Sequence, residues 1–396
     1  MDIIAAAEAI AKGQPRVEAL LGGLIASGRL PQALIFAGPE GSGKELMAMR
    51  LAAALECEAL GPEAGGAGER GGKKRAPGPG AANAGERGSE ARAGAACGVC
   101  PSCVKARNLE HPDIHLIYPV PPAEWEKDAR ELLESRRKDF YATGEFGRRA
   151  RSVGIGLVRS IIEALSKHPF EGRRSVVVLF EAHLATTEAQ NALLRLLEEP
   201  PPPAVIILVT ELSDRLLPTI LSRCYEIRFE SLGEEAVAGF LERFYSVERE
   251  EARRIAVLAR GNLRRGIRFL DERFLNLTRD ASAAMKLVLD GKERELAGEA
   301  EALAREYGGR EEAGELLEEA AIIVSLLIRN REGLATEAER RLLERTLGAE
   351  RLAAASARDL PGDMRKISRS MESLRRNADV ELTLSQLLLD LAGKWY

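Results

Sequence analysis

Residues 38–45 read Gly-Pro-Glu-Gly-Ser-Gly-Lys-Glu, a phosphate-binding loop with the wrong last residue. In the pattern G-x-x-x-x-G-K-[ST], backbone N–H groups cradle the phosphates, the lysine reaches the β and γ oxygens and the hydroxyl holds Mg²⁺. Gly38, Gly41, Gly43 and Lys44 are in place, but Glu45 stands where the hydroxyl belongs. A carboxylate ~4 Å from a phosphate oxygen costs on the order of 4 kcal/mol at an effective dielectric of ~20. The second Mg²⁺ contact of such sites is an acidic residue at the end of a neighbouring apolar strand. Here that position is Phe180, followed by Glu181. Two readings follow: a relic loop that holds ATP and Mg²⁺ weakly or not at all, and a working ATPase in which Glu45 ligates Mg²⁺ and Glu181 polarises water. The change of both metal contacts favours the relic.

A second cluster has metal chemistry. Cys97, Cys100 and Cys103 form C-x2-C-x2-C, and Cys57 lies upstream. Four thiolates suit a tetrahedral zinc site, whose closed shell is structural rather than catalytic. Cys57 is the natural fourth ligand; His111 competes for that place, and buried free thiols are the plain alternative. Gly98, Pro101 and Ser102 describe a knuckle rather than a core. The fifth cysteine, Cys224, closes the string Ser222-Arg223-Cys224. An arginine can stabilise a transferring phosphoryl group from outside, in trans. Taken alone, Arg223 would be one more solvated arginine.

The elements that must position these groups alternate. Nearly all-apolar strands are expected at 33–37, 113–118, 175–180, 204–210 and 225–229, with helices at 44–57, 155–168 and near 215–223. Another helix opens at the capping box Thr187-x-x-Gln190 and is stopped by the prolines at 200–203. Residues 123–146 predict a charged helical insertion. Such alternation means an α/β domain whose parallel sheet is covered on both faces. From Glu230 onward only helices are expected, giving divisions at 1–229, 230–275 and 276–396. Residues 61–96 contain no Val, Ile, Leu, Met, Phe, Tyr or Trp, which predicts a disordered insertion.

The formal charge of −4 and pI near 5.9 argue against a whole-surface nucleic-acid binder, though not against a local basic patch. No apolar run approaches the ~18 residues of a membrane span. Met1-Asp2-Ile3-Ile4 lacks the basic start of a signal peptide, so a cytoplasmic protein without membrane partners is expected.

Two strings carry a resemblance. Asn191-Ala192-Leu193-Leu194-Arg195-Leu196-Leu197-Glu198-Glu199-Pro200-Pro201 and Leu216-Leu217-Pro218-Thr219-Ile220-Leu221-Ser222-Arg223-Cys224 closely resemble segments of bacterial sliding-clamp loaders. Residues 27–39, the cysteine knuckle, residues 169–172 and residues 377–389 agree. The resemblance implies an AAA+ subunit with a nucleotide-type α/β domain bearing a zinc knuckle, a helical lid and a helical collar. It implies assembly with motor and delta subunits in a five-membered ring that places the sliding clamp on primed DNA during replication, as part of the DNA polymerase III holoenzyme. A damaged loop beside an intact Ser-Arg-Cys string resembles the non-hydrolysing subunit of that family. The ATP-hydrolysing gamma/tau type is the alternative, although the family match begins at Gly13-Gln14 and leaves little room for an adenine-contacting segment. A pure scaffold, with Arg223 incidental, is a third.

By position, the resemblance makes Arg223 an arginine finger aimed at a neighbour's ATP. It makes Thr210 a strand-end sensor. Arg264, in Gly261-Asn262-Leu263-Arg264, falls where motor subunits keep a nucleotide-sensing arginine, with a structural helix-surface role as the other reading. Gln32 replaces a histidine common in the family, with no function attached to the change.

Overall fold

The computed structural model describes residues 1–60, 95–142, 146, 149–201 and 203–393. The insertion expected at 61–96 lies outside the described residues except for its last two. The chain divides into two compact units, Met1–Gly266 and Ile267–Tyr396.

In the first unit, α1 (Ile3–Gly13) and α2 (Pro15–Ala26) precede β1 (Ala33–Ala37) and α3 (Lys44–Leu55). Then come α4 (Pro101–Arg107), β2 (Ile114–Ile117), α5 (Trp125–Lys138), α6 (Ile155–Leu165), β3 (Ser175–Leu179), α7 (Thr187–Glu198), β4 (Ala204–Thr210), α8 (Pro218–Leu221) and β5 (Tyr225–Arg228). The strands form one sheet in the order β2-β3-β4-β1-β5, every pair parallel. Every residue of β1, β3 and β4 is buried, as strands covered on both faces require. β5, at the edge, buries only Ile227. Helices α9 (Glu234–Tyr245), α10 (Arg249–Ala259) and α11 (Leu263–Arg268) follow.

α1 starts at Asp2, whose carboxylate accepts from the N–H groups of Ile4 and Ala5. Its buried face of Ile3, Ile4, Ala6, Ala7, Ile10 and Ala11 packs on α3. Arg50 of α3, nearly buried, donates to Glu8 at 2.6 Å and to Glu18 at 3.4 Å, which ties α1 and α2 to the helix after the phosphate loop.

Three local expectations need correction. The cap of α7 is Thr186, which has the extended cap conformation (φ −63°, ψ 157°) and accepts from the Ala189 N–H. Thr187 is already helical, and Gln190 is engaged elsewhere. α5 stops at Lys138 because Asp139 turns extended and Phe140 enters the core. The helix expected near 215–223 is a single turn, started by Pro218.

The second unit is helical throughout its regular structure: α12 (Glu272–Asp290), α13 (Glu293–Glu306), α14 (Arg310–Arg331), α15 (Glu337–Leu347), α16 (Ala349–Ser356), α17 (Leu360–Arg375) and α18 (Val380–Ala392). α13 packs on α18 and α14 on α17. Side chains of Asp271, Thr336, Asp359 and Asp379 cap four of these helices. Among the described residues no helix is long and apolar enough to cross a membrane.

Candidate functional site

The phosphate loop leaves the end of β1 and runs into α3, the context its motif requires. Gly41 (φ +64°) and Gly43 (φ +85°) adopt conformations that L side chains rarely take. Neither position has room for a Cβ. At Gly41 it would lie 2.0 Å from Asn262 Oδ1, and at Gly43 2.2 Å from Ile10 Cγ2. The loop is held from both sides: Gln14 Nε2 donates to the Ser42 carbonyl at 3.1 Å, the Leu263 N–H to the Gly41 carbonyl at 3.0 Å, and Asn262 Nδ2 to Glu40 at 3.1 Å.

Lys44 is folded onto its own loop. Its Nζ donates to the carbonyls of Gly38 (2.8 Å) and Pro39 (2.6 Å) and to Ser42 Oγ (3.3 Å). Burial pushes its pKa down to about 8, against the pull of Glu211 and Glu45. The residue that replaces the Mg²⁺-binding hydroxyl is engaged too. Glu45 Oε1 accepts from Arg264 Nη2 at 2.6 Å, and Oε2 lies 3.7 Å from Arg136 Nη1. Burial alone would raise the Glu45 pKa; Arg264 first, and Arg136 next, outweigh it and hold the carboxyl below its ordinary value. Behind this cluster the Arg136 guanidinium lies over the Tyr118 ring, 4.3 Å from its centroid, and Tyr118 stacks on Phe180 at 4.4 Å. Phe180 therefore fills the place of the second Mg²⁺ contact with an aromatic stack.

Glu181, with a left-handed φ of +46°, pairs with Arg151 at 3.3 Å. Thr210 is buried; its hydroxyl lies 3.3 Å from His183 Nδ1 and accepts from the Leu212 N–H at 3.2 Å. Next to it Glu211 is pushed up to about 7, by burial first and then by Glu40. Lys44, Glu45, Glu181, Thr210, Glu211 and Arg264 line a partly open cavity of about 20 Å³. That is room for about one water molecule, and three carboxylates line it. Arg264, with 18% of its side chain exposed, is turned in against Glu45. Sequence reasoning missed Arg136, Gln14, Glu211 and Asn262. Only Asn262 carried a signal, in its place within the Gly-Asn-Leu-Arg string.

The four cysteines of the knuckle meet. The Sγ atoms of Cys57, Cys97, Cys100 and Cys103 lie within 4.8 Å of one another, with Cys97 and Cys103 at 3.8 Å. Four sulfurs placed tetrahedrally at ~2.3 Å from an ion would stand about 3.8 Å apart. Backbone N–H groups of Cys97, Cys100 and Cys103 point at Cys57, Cys97 and Cys100 sulfurs, at 3.4–3.5 Å, donors that favour thiolates. The cluster can hold a metal ion. His111 is outside it: Nδ1 accepts from the Asp113 N–H at 3.2 Å and Nε2 lies 3.4 Å from Ser102 Oγ. The fourth cysteine of the cluster is Cys57.

Arg223 sits apart from the loop for a topological reason. In the parallel register Leu34 pairs with Tyr225 and Ala37 with Arg228. Arg223 precedes β5, whereas the phosphate loop follows β1, so the two lie at opposite ends of the sheet, separated by about 13 Å of strand. Arg223 Nη2 donates to Glu198 at 2.7 Å and Nη1 to the Thr219 carbonyl at 2.9 Å, with about a third of its side chain exposed. Its turn is held by Gln190, which accepts from the Leu217 N–H (2.8 Å) and donates to the carbonyls of Ala185 (3.1 Å) and Arg215 (3.3 Å).

Residues 84–233, from just before the cysteine knuckle to past β5, match the family model described as DNA polymerase III, delta subunit. Over parts of its length the chain is similar to DNA polymerase III clamp-loader subunits. It is 26% identical over 224 residues to the delta-prime subunit of Bacillus subtilis, which takes in 57% of this chain and 50% of that protein. It is 30% identical over 131 residues to the gamma/tau subunit of Mycoplasma genitalium, 31% of this chain and 21% of that one. A solved gamma subunit-related protein of Thermotoga maritima superposes with a TM-score of 0.33 at 16% identity, covering 73% of this chain and 87% of its own. The chain spans half the length of the Bacillus relative and less of the mycoplasma one. Its five-stranded parallel sheet followed by helices is the α/β-then-α order expected from the sequence.

Proposed function

We propose that this chain is the delta-prime subunit of a DNA polymerase III clamp loader: a stator that donates Arg223 to the ATP of a neighbouring motor subunit and does not turn over ATP itself. One observation carries the reading. Arg223 is exposed at the sheet edge remote from its own phosphate loop, while that loop is filled by Glu45, Arg264 and Arg136. An arginine so placed is out of reach of its own loop, which supports a role toward a nucleotide held by another chain. In this reading residues 1–229 are the AAA+ α/β domain, 230–275 the lid and 276–396 the collar that joins motor and delta subunits in a five-membered ring. The ring opens the sliding clamp and sets it on primed DNA in the cytoplasm, where replication takes place. Structural Zn²⁺ occupies the four cysteines. Gly38, Gly41, Gly43, Lys44, Thr210 and Arg264 are remnants of a nucleotide site and hold ATP and Mg²⁺ weakly or not at all.

The deciding experiment is Arg223→Ala in a reconstituted loader. Turnover at the affected site should fall by about 10³-fold, the size of an arginine-finger contribution; unchanged turnover removes the reading. A second reading, an ATP-hydrolysing gamma/tau-type subunit, draws support from the mycoplasma relative and from Lys44. It requires Glu45 to exchange Arg264 for Mg²⁺, and steady hydrolysis by the isolated chain would establish it.

A further inference from the structure

Phe170 is 85% exposed, more than any other large hydrophobic side chain among the described residues. It does not lie on a loose loop. The Asp113 carboxylate accepts from the N–H groups of Phe170 (2.5 Å), Glu171 (3.0 Å) and Gly172 (2.6 Å). The Glu56 carboxylate accepts from those of Arg173 (3.0 Å) and Arg174 (3.2 Å). A Cβ on Gly172 would stand 2.0 Å from Glu56 Oε2 and 2.9 Å from Asp113 Oδ2, so the chain approaches as closely as glycine allows.

Both carboxylates are attached to the cysteine cluster. Glu56 immediately precedes Cys57. Asp113 is reached through His111, which accepts from the Asp113 N–H and faces Ser102, between Cys100 and Cys103. Two further ties run the same way: Lys105 of the knuckle helix pairs with Glu171, and the Arg173 guanidinium donates to the Glu58 carbonyl at 3.4 Å. An ordered loop that presents an aromatic side chain to water has the form of a preorganised interface anchor.

We propose that the metal-binding knuckle is the mount for a protein-docking loop, residues 169–174, whose Phe170 enters an apolar pocket on the same neighbouring subunit that receives Arg223. The occupant follows from topology and therefore rests on the reading of Arg223 given above. The loop precedes β3 and Arg223 precedes β5, at the same end of a parallel sheet. Three strand spacings between β3 and β5 come to about 14 Å, well within a standard interface face of about 800 Å². Glu171 is neutralised by Lys105, and the Glu56 and Asp113 carboxylates beneath the loop offset Arg173 and Arg174, so the contact offered by Phe170 is chiefly apolar.

The test uses the full zinc-loaded chain with nucleotide-loaded motor subunits. Phe170→Ala should weaken their association about 30-fold, the range of an interface hot spot. Gly172→Ala should keep one zinc per chain yet weaken association similarly, and should speed hydrogen exchange of the amides at 170–174. Chelation should speed the same amides; if it unfolds the chain, Gly172→Ala decides. Unchanged association of Phe170→Ala, while Arg223→Ala still lowers turnover, overturns this inference and spares the reading of Arg223. No effect of either substitution removes both. A loss confined to single-stranded DNA or to the sliding clamp overturns the assigned occupant.

Discussion

The carboxylate of Glu45 and the guanidinium of Arg264 meet at 2.6 Å directly over the phosphate loop, 219 positions apart in the chain. Both line the cavity beside the loop. Glu45, which stands where the motif has its hydroxyl, thus has a counter-ion in Arg264.

Breaking that pair should be expensive. Removing one partner of a buried ion pair costs about 3–5 kcal/mol because the other charge is left uncompensated. Glu45→Gln should therefore lower unfolding free energy by about 3 kcal/mol in urea at neutral pH. The Glu45 pKa is lowered in the fold, so its contribution is present above 4.5 and is lost as pH falls through the lowered value. The gap between parent and variant should close in acid; a gap independent of pH would show that Arg264 does not hold this carboxylate.

Nucleotide binding should follow the same pair. A fluorescent ATP analogue titrated with Mg²⁺ into the isolated chain should show no binding up to millimolar concentration. Glu45→Thr, which restores the motif and frees Arg264, should bring binding into a measurable range. Micromolar binding by the parent would instead promote the motor reading.

Glu211 gives the opposite pH signature. Its pKa is raised to about 7, so its contribution to stability is present below 4.5 and is lost as pH rises through about 7. Glu211→Gln should match the parent near pH 4.5 and exceed it at pH 8, by urea unfolding at both. Equal stability at pH 8 would mean that the carboxylate is well solvated there.

Gln190→Ala tests how Arg223 is positioned. The side chain is buried and makes three hydrogen bonds that hold the turn ahead of α8. Losing them should cost about 2–3 kcal/mol, and turnover by a reconstituted loader should fall with Arg223 still present. Normal turnover from a destabilised variant would show that the turn keeps its shape without the amide.

Metal removal should be the largest single effect on the first unit. Structural zinc is worth ~10–16 kcal/mol of apparent binding energy, comparable to the stability of a whole domain. Chelation or Cys103→Ser should lower Tm sharply, and zinc readdition should restore only the chelated parent. A chain whose melting curve ignores chelator would mean that the cluster is packed as free thiols.

The five strands and the helices that alternate with them from α3 onward were legible because apolar runs bounded by Gly, Pro and capping residues are local signals; α1, α2 and α4 were not anticipated. The loop at 38–45, the four cysteines and the Ser222-Arg223-Cys224 string were legible for the same reason, since their chemistry lies in residue types at short spacing. The sequence by itself also showed that Glu45 and Phe180 are not the residues the motif has at its two Mg²⁺ contacts. What surrounds Glu45 was decided by the tertiary structure. Arg264 is 219 positions from Glu45, and Arg136 comes from a helix that reads in sequence only as a charged insertion. The same holds for Gln190, read as half of a capping box until the fold gave it Arg215 and Leu217 as partners 25 and 27 positions away, and for Phe170, whose loop is held by carboxylates at Glu56 and Asp113. Local propensity acts over a few residues, whereas ion pairs and side-chain tethers form between groups that only the assembled fold brings together.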